Sequence, residues 1–293
     1  MILQREISKL ANRLYREALA TYGKKQAFRI PETTIERDYC LAWLLSALSK
    51  HEALATALAF KGGTALRRVH FGEYRFSEDL DFTLVTEIPL EQIFSELDVL
   101  FDVLAEASGI RFSRKSGDPV RHARNDTFYL EYQGPLPSKG SVKVDVTRGE
   151  TLVFELERKP VLQTYPEFSD LPDDRRILVY SFPEVAVEKT LAVTDNARRE
   201  PRDLYDLWYL AEKGVLPTAQ EMVDPLSRKL GTREGRAGDV LVPRLDRVEK
   251  ELGVKWKTRL EYQVANLPPF DGCFRAVRRL LAEFDGLRER RLV

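Results

Sequence analysis

The sequence is poor in the residues that mark several common kinds of functional site. Its 293 residues include two cysteines and three histidines. Cys40 and Cys273 are too far apart for a metal-binding motif and form no disulfide framework, a pattern typical of a reducing cytoplasm. His51, His70 and His122 are scattered along the chain. A zinc site built on histidines and a Ser-His-Asp triad are therefore not expected.

Long hydrophobic runs and an excess of charge are missing as well. No apolar stretch approaches the roughly 20 residues of a membrane-spanning helix, and the first residues lack the apolar core of a signal peptide. We therefore expect a cytoplasmic protein without a membrane partner. The formal net charge is zero, with 46 basic and 46 acidic residues, so overall charge favours no class of partner.

The order of predicted elements favours an α+β protein of two parts. Helices and short alternating strands fill the first 150 residues, whereas from Pro183 onward the pattern is helical and ends in several short helices. Between residues 160 and 182 the composition shifts and periodicity is weak. We predict an N-terminal domain, residues 1–170, with a mixed sheet flanked by helices, and a mostly helical C-terminal domain, residues 171–293.

A glycine pair lies in the most informative stretch. Leu58–Phe60 predicts a strand that runs into Gly62 and Gly63, and Thr64–Val69 predicts a helix. A helix start has unpaired backbone N–H groups that suit a phosphate, and glycine permits a close approach of the backbone. The same residues also suit an ordinary turn. The predicted nucleotide contacts in this stretch are Lys61, Gly62, Gly63 and Thr64.

Two carboxylates follow at a spacing that favours a metal site. Leu80–Val85 alternates between apolar and polar residues, which predicts a strand. Asp79 and Asp81 then leave the same face of that strand. Neighbouring carboxylates repel each other, and Mg²⁺ shared with substrate phosphates would compensate their charge. The alternative is a solvent-facing strand edge with two acids.

Ser77 precedes Asp79 by two residues, so its hydroxyl is expected to face the same site. We predict a nucleotide contact there. We also predict regulatory phosphorylation, because a phosphate on Ser77 would add about 1.5 to 2 negative charges beside the carboxylates and obstruct the nucleotide. The alternative is a turn serine bonded to the backbone.

A third carboxylate lies on a later strand. In Val142–Val146 the valines form a buried face, and Lys143 and Asp145 share the other. If this strand pairs beside the first, Asp145 joins the two earlier aspartates around one or two metal ions, an arrangement that supports phosphoryl transfer. Alone, Asp145 would only pair with Lys143 or Arg148.

The helical part contributes three more candidates. Pro183–Thr194 predicts a nearly apolar helix with Lys189 at its middle. Such a lysine either extends to solvent beside an acid or faces a polar cleft, where it would bind phosphate as a point charge. In the next helix Asp203 and Asp206 are three residues apart and share a face, although Asp203 also suits the helix dipole.

These motifs together resemble the AbiEii/AbiGii toxin family of nucleotidyltransferases, which includes the MenT toxins and belongs to the DNA polymerase beta-like nucleotidyltransferase superfamily. The resemblance spans about residues 34–212, with its blocks in the family's order. The sequence after about residue 220 matches no motif of the family. The matching blocks are Ile35–Tyr39, with Arg37 in place of a lysine, Phe60–Leu66, Arg75–Phe82, Glu188–Lys189 and Arg202–Leu207.

The resemblance implies a two-lobed fold with the site between the lobes. It also implies Mg²⁺-dependent transfer of a nucleoside monophosphate from an NTP, with release of pyrophosphate. It assigns Asp79 and Asp81 to metal binding and Lys189 to the triphosphate. Either Asp203 or Asp206 would complete the catalytic set, and Asp145 fits the superfamily's third carboxylate by its strand position.

The partners implied by the resemblance are a cognate antitoxin protein and tRNA, modified at its 3′ acceptor end so that translation is blocked. No DNA partner is expected. The basic residues Arg111, Arg114, Lys115, Arg121 and Arg124 are compatible with an RNA-binding surface or with ordinary solvated faces. Two other functions remain open: nucleotidylation of a protein hydroxyl, and a non-catalytic module that binds nucleotide and RNA.

Overall fold

The computed structural model describes residues 1–24, 27–117, 119–233, 235–264 and 266–292. The chain divides into two compact units: unit 1 is Met1–Glu150 with Leu156–Tyr180, and unit 2 is Thr151–Glu155 with Ser181–Val293. The main division after Tyr180 lies within the predicted range of 160–182. The predicted domain boundary at residue 170 is too early, because it would separate the strand Arg176–Tyr180 from the sheet to which it is paired.

Unit 1 contains the sheet and the helices around it. Its elements are α1 (Gln4–Tyr22), α2 (Glu32–Lys50), α3 (Glu52–Ala57), β1 (Leu58–Lys61), α4 (Gly62–Ala65) with a π-helical turn (Leu66–Phe71), β2 (Leu80–Leu84), α5 (Leu90–Ser108), β3 (Arg111–Arg114), β4 (Val120–His122), β5 (Asn125–Gln133), β6 (Gly140–Thr147), β7 (Leu156–Pro160) and β8 (Arg176–Tyr180). Unit 2 contains α6 (Phe182–Val193), α7 (Pro201–Glu212), α8 (Ala219–Gly231), α9 (Leu241–Leu260) and α10 (Phe270–Leu292).

The strands of the described residues form one eight-stranded mixed sheet. Its order is β3-β5-β6-β2-β1-β8-β7, with β4 paired to β5. The pairs β1–β8 and β2–β6 are parallel, and the others are antiparallel. The predicted α+β class, a mixed sheet flanked by helices followed by a helical C-terminal part, is confirmed. Among the described residues, no helix is both long and apolar enough to cross a membrane.

The predicted C-terminal series of short helices is wrong, because α9 and α10 are 20 and 23 residues long. Gly253 lies inside α9, where a glycine usually weakens a helix. Here it makes room for a neighbour: a Cβ at Gly253 would come within 3.1 Å of the Phe270 ring. Three short elements, α3, β4 and β7, have too few residues to show a periodicity in the sequence.

The sheet has one apolar and one polar face in its centre. Leu80, Phe82 and Leu84 of β2 are buried in the core, with Leu44 of α2 and Ile93 of α5. The alternate positions of β2 carry polar side chains, as the strand period of two requires. Since α2 and α5 cover the apolar face, the polar side chains of β2 and its neighbours lie together on the other.

A buried ion cluster connects α2 to the π-helical turn. Asp38 is 5% exposed, and its two carboxylate oxygens each accept a 3.0 Å hydrogen bond from the Arg67 guanidinium. Arg68 Nε lies 3.0 Å from the same carboxylate. The wider π-helical turn thus directs two consecutive arginines toward one acid. Burial raises the pKa of Asp38, but the charges of Arg67 and Arg68 outweigh burial and lower it overall.

A five-residue segment of unit 2 lies between two strands of unit 1. Thr151–Glu155 follows β6 and precedes β7, yet it belongs to unit 2. The Glu184 carboxylate of α6 accepts hydrogen bonds from the backbone N–H groups of Val153, at 2.9 Å, and Phe154, at 2.7 Å. Glu184 also pairs at 2.5 Å with Lys229, which is fully buried. This buried pair holds the segment against α6 and α8.

We predict that Asp38→Asn destabilises the protein strongly. The substitution keeps the side-chain shape but leaves two buried guanidinium groups without a carboxylate, which should cost about 3–5 kcal/mol in the free energy of unfolding. Because the folded pKa of Asp38 is lowered, its contribution is present above the pKa of the unfolded state and is lost as pH falls through the folded value. Urea denaturation at several pH values measures both effects.

Asp98→Asn is the matched control. Asp98 also binds an arginine through two hydrogen bonds, from Arg114, but its side chain is 52% exposed. An exposed pair of this kind contributes little to stability. Equal losses in the two variants would contradict the assigned role of the buried cluster.

Candidate active site

One row of side chains crosses the polar face of the sheet. Residues paired across adjacent strands carry their Cβ atoms on the same face. The register aligns Lys61 of β1 with Asp81 of β2, Asp81 with Asp145 of β6, and Asp145 with Thr127 of β5. We call these four residues the carboxylate row. The predicted pairing that places Asp145 beside Asp81 is confirmed.

The glycine pair lies at one end of this row. Gly62 has a φ of +80°, and a Cβ there would collide with the Asp81 carboxylate. A Cβ at Gly63 would come within 2.5 Å of the Arg75 guanidinium and 3.0 Å of Ser77 Oγ. Only glycine, therefore, lets the backbone pass so close to these three side chains. Arg75 was missed in the sequence because nothing in its spacing connects it to the glycines.

Thr64 and Lys61 make contacts inside the protein. The Thr64 hydroxyl is buried and donates a 2.5 Å hydrogen bond to the backbone carbonyl of Asp79, which holds the start of β2 beside the glycine pair. Lys61 Nζ donates a 3.0 Å hydrogen bond to Thr147 Oγ1 and lies 5.6 Å from the centre of the Tyr180 ring. Thr64 thus positions the site, whereas Lys61 extends across the polar face.

Asp145 is surrounded by donors. Its carboxylate accepts hydrogen bonds from Lys143 Nζ at 2.6 Å, from Asn125 Nδ2 at 3.2 Å and from the Thr127 hydroxyl. Burial raises the pKa of Asp145, but the hydrogen bonds from Lys143 and Thr127 outweigh burial and lower it overall. Asp145 is consequently ionised at neutral pH. The pairing of Asp145 with Lys143, one of the alternatives drawn from the sequence, is present in the structure.

Lys143 is affected by all three aspartates. Burial lowers its pKa, whereas the hydrogen bond to Asp145 and the charges of Asp145, Asp79 and Asp81 raise it, so that the pKa is raised overall. The ammonium group therefore compensates part of the negative charge that the three carboxylates bring together. Sequence alternation placed Lys143 on the correct face, but it could not show that Asn125 and Thr127 would join it.

The fit of this cluster to a metal ion depends on Asp79 and Asp81. Carboxylate oxygens are the donors that Mg²⁺ prefers, and it usually takes one or two of them together with substrate phosphates. Among the described residues, no three His, Cys, Asp or Glu side chains are grouped so that they could hold a metal ion. Asp79 and Asp81, two residues apart at the start of β2, are the candidate pair of donors, whereas Asp145 is engaged with Lys143. A Mg²⁺ site therefore stays a prediction.

The second charged cluster lies wholly within unit 2. Lys189 Nζ lies 2.8 Å from Asp203 and 2.6 Å from Asp206, and all three side chains are at least 92% buried. Arg198 Nε pairs with the other oxygen of Asp203 at 2.6 Å. Burial raises the pKa of Asp203, but the charges of Lys189 and Arg198 outweigh it and lower the pKa overall. The structure thus brings together the three candidates of the helical part.

Of the two positions suggested for Lys189 from the sequence, extension to solvent beside an acid is wrong, and phosphate binding stays a prediction. It does not extend to solvent, and the acid beside it in sequence, Glu188, pairs with Lys229 instead. Both Asp203 and Asp206 contact Lys189, so contacts alone do not separate them as catalytic acids. The cluster connects α6 to α7, which gives Lys189 a structural role in addition to any role in binding.

We predict that Lys189→Met destabilises unit 2, because it leaves two buried carboxylates without their ammonium partner. The expected loss is about 3–5 kcal/mol in the free energy of unfolding, measured by urea denaturation. Lys257→Met is the control, since the Lys257 side chain is 82% exposed. An unchanged unfolding midpoint for Lys189→Met would refute the structural role, and any loss of activity in that variant has to be compared with its folded fraction.

Comparisons with known proteins cover both clusters. A family model described as "Nucleotidyl transferase AbiEii toxin, Type IV TA system" matches residues 43–283. Among solved structures, the chain is similar to MenT4, a nucleotidyltransferase toxin from Mycobacterium tuberculosis H37Rv. The TM-score is 0.60 at 20% identity, and the match covers 96% of this chain and 92% of that one. At this identity the likeness shows a shared fold. No curated protein matches the chain.

Proposed function

Because the chain belongs to the AbiEii family of nucleotidyltransferase toxins from type IV toxin–antitoxin systems, we propose that it transfers a nucleoside monophosphate from an NTP to the 3′ acceptor end of tRNA. Pyrophosphate is the second product, and the modified tRNA no longer supports translation. The observation that carries the proposal is the position of Asp81, between Lys61 and Asp145 in the sheet and against the backbone of Gly62.

The glycine pair and its neighbours form the proposed triphosphate side of the site. Gly62 and Gly63 leave room beside Arg75 and Ser77, and Lys61 adds a second positive charge on the same face. Asp79 and Asp81 are the proposed Mg²⁺ ligands. One or two Mg²⁺ ions bound with the NTP would neutralise its phosphates and stabilise the attacking and leaving oxygens.

The proposed chemical step is a displacement at the α-phosphorus. The acceptor hydroxyl forms a new O–P bond, the bond between the α- and β-phosphates breaks, and pyrophosphate leaves with its electron pair. Asp145 is ionised and can accept the hydrogen bond of the attacking hydroxyl. Its lowered pKa makes it a weak base, so its main contribution is to orient the hydroxyl while the proton passes to water.

Lys189 remains the proposed triphosphate ligand of unit 2. Its ammonium group has three N–H donors, and Asp203 and Asp206 account for two of them. One donor is therefore left for a phosphate oxygen. In this role the two aspartates orient the lysine, which explains why the family pattern contains a lysine and these acids together.

Two partners follow from the family. A toxin of a type IV toxin–antitoxin system implies a cognate antitoxin, which we expect as a separate protein. We propose tRNA as the acceptor and the cytoplasm as the place of the reaction.

We predict that Asp81→Asn reduces transfer at least about 1,000-fold, because a metal-binding carboxylate contributes several kcal/mol to transition-state stabilisation. The variant should stay folded, because asparagine has nearly the same shape as aspartate, and its melting temperature checks this. The assay incubates purified protein with total tRNA and each labelled NTP in turn, and sequences the modified 3′ ends.

The control is Asp98→Asn, the same change at an exposed position on α5, which should leave transfer unchanged. Full activity of Asp81→Asn would disprove the assigned site. Digestion of a labelled cell extract with RNase or protease tests the nature of the acceptor. If the label resists RNase and is lost on protease treatment, the acceptor is a protein and not tRNA. If the protein binds nucleotide but releases no pyrophosphate, it is a binding module and not an enzyme.

We also propose that phosphorylation of Ser77 inactivates the protein. Ser77 Oγ lies at Gly63, on the triphosphate side, so a phosphate there would repel the NTP. Ser77→Asp should weaken NTP binding at least about tenfold, measured with a fluorescent NTP analogue. The side chain in Ser77→Asn has nearly the same shape as that in Ser77→Asp but carries no charge, so Ser77→Asn should bind the NTP analogue much more tightly. Equal affinities of the two variants would refute the electrostatic mechanism.

A further inference from the structure

An exposed aromatic ring lies beside the carboxylate row. Tyr129 of β5 is two residues from Thr127, so both side chains leave the same face of the strand. Its partner across the strands is Lys143 of β6, the lysine that binds Asp145. Tyr129 is 45% exposed, although the residues before and after it, Phe128 and Leu130, are buried. The ring therefore stands on the polar face of the sheet, open to a ligand.

A pocket opens next to this ring. β3 pairs with β5 up to Leu130, the Lys115 N–H donates to the Tyr129 carbonyl, and β4 pairs with β5 from Thr127, so the partner of β5 changes from β3 to β4 beside Tyr129. A pocket of about 230 Å³ lies there, and Tyr129, Thr127 and Lys115 are among its lining residues. Lys115 Nζ is 5.9 Å from the centre of the Tyr129 ring. The lining also includes Phe94 of α5 and the buried Phe128, so the pocket reaches toward the covered face of the sheet, and Thr127, which donates to Asp145, connects it to the carboxylate row.

The order of strands places this pocket away from the glycine pair. β1, which ends at Lys61 just before Gly62, and β5, which carries Tyr129, are separated by β2 and β6. Three strand spacings amount to roughly 14 Å. The carboxylates of Asp81 on β2 and Asp145 on β6 thus lie between the glycine pair and the pocket. In a displacement at phosphorus the attacking and leaving oxygens are in line, so an acceptor enters opposite the leaving pyrophosphate.

We propose that Tyr129 and Lys115 bind the acceptor: the base of the 3′-terminal nucleotide of a single-stranded RNA end stacks on the Tyr129 ring, and Lys115 and Lys143 contact its phosphates. The inference rests on the proposed function, because it assigns the side of the site opposite the triphosphate. An aromatic ring beside lysines is the combination that binds single-stranded nucleic acid with little sequence preference. A protein acceptor would not need a ring between two ammonium groups.

The test measures RNA binding directly, without requiring transfer. A fluorescent oligoribonucleotide that ends in single-stranded CCA is titrated with the full-length protein, and anisotropy gives the dissociation constant. Tyr129→Ala should raise that constant about tenfold, because stacking on one aromatic ring is lost. Tyr129→Phe should restore binding, since a phenyl ring stacks as well. Lys115→Ala should weaken binding and reduce its salt dependence.

Tyr262→Ala serves as the matched control, because Tyr262 is exposed at 63% and lies outside the sheet; it should bind the oligonucleotide like the unchanged protein. The affinity for a fluorescent NTP analogue should be the same in Tyr129→Ala as in the unchanged protein. The inference is overturned if Tyr129→Ala keeps its RNA affinity, or if it loses NTP affinity instead. It is also overturned if the unchanged protein does not bind the oligonucleotide.

The transfer assay separates this inference from the proposed function. If the unchanged protein labels tRNA and Tyr129→Ala labels it with an unchanged KM for tRNA, the proposed function stands and the acceptor site is wrong. If the oligonucleotide binds through Tyr129 but no RNA is ever labelled, the RNA site stands and the proposed transfer to tRNA fails.

Discussion

Repulsion among neighbouring carboxylates is the constraint on which the candidate site depends. Strand pairing places Asp81 beside Asp145, Asp79 lies just before β2, and like charges that are close together oppose folding unless a cation compensates them. Lys143 compensates part of this charge, because its hydrogen bond to Asp145 and the charges of all three acids raise its pKa. A Mg²⁺ ion bound with the NTP, as proposed above, would add to this compensation.

In unit 2, acidic and basic side chains are paired in buried clusters. Lys189 with two aspartates, and Lys229 with Glu184 and Glu188, are largely removed from water. Removing one partner from such a cluster is costly, because the remaining charge stays buried. The Lys143 side chain, in contrast, is 36% exposed. Similar residue types thus form buried connections between helices in one unit and a partly exposed cluster in the other.

The part of the fold that follows from local periodicity could be predicted from the sequence. Alternation along β2 and β6 placed Asp81 and Asp145 on polar faces, and the register then brought them together. Alternation says nothing about which distant donor meets a carboxylate, so the bonds of Asp145 to Asn125 and Thr127 were not foreseen. The same limit applies to Lys189, whose contacts with Asp203 and Asp206 come from the next helix. The length of α9 did not follow from local pattern either, since Gly253 in its interior gives space to Phe270 of another helix.

The segment Thr151–Glu155 has a consequence for how such a protein can evolve. The chain passes from one unit to the other after residues 150, 155 and 180. A genetic exchange at a single point after Tyr180 would therefore supply a new helical unit while leaving behind the five-residue segment, in which the N–H groups of Val153 and Phe154 bond to Glu184. The Glu184 carboxylate would lose those two donors while it is still buried against Lys229. We therefore expect the two units to be inherited together, so that the sheet and the helical cluster diversify in the same lineage.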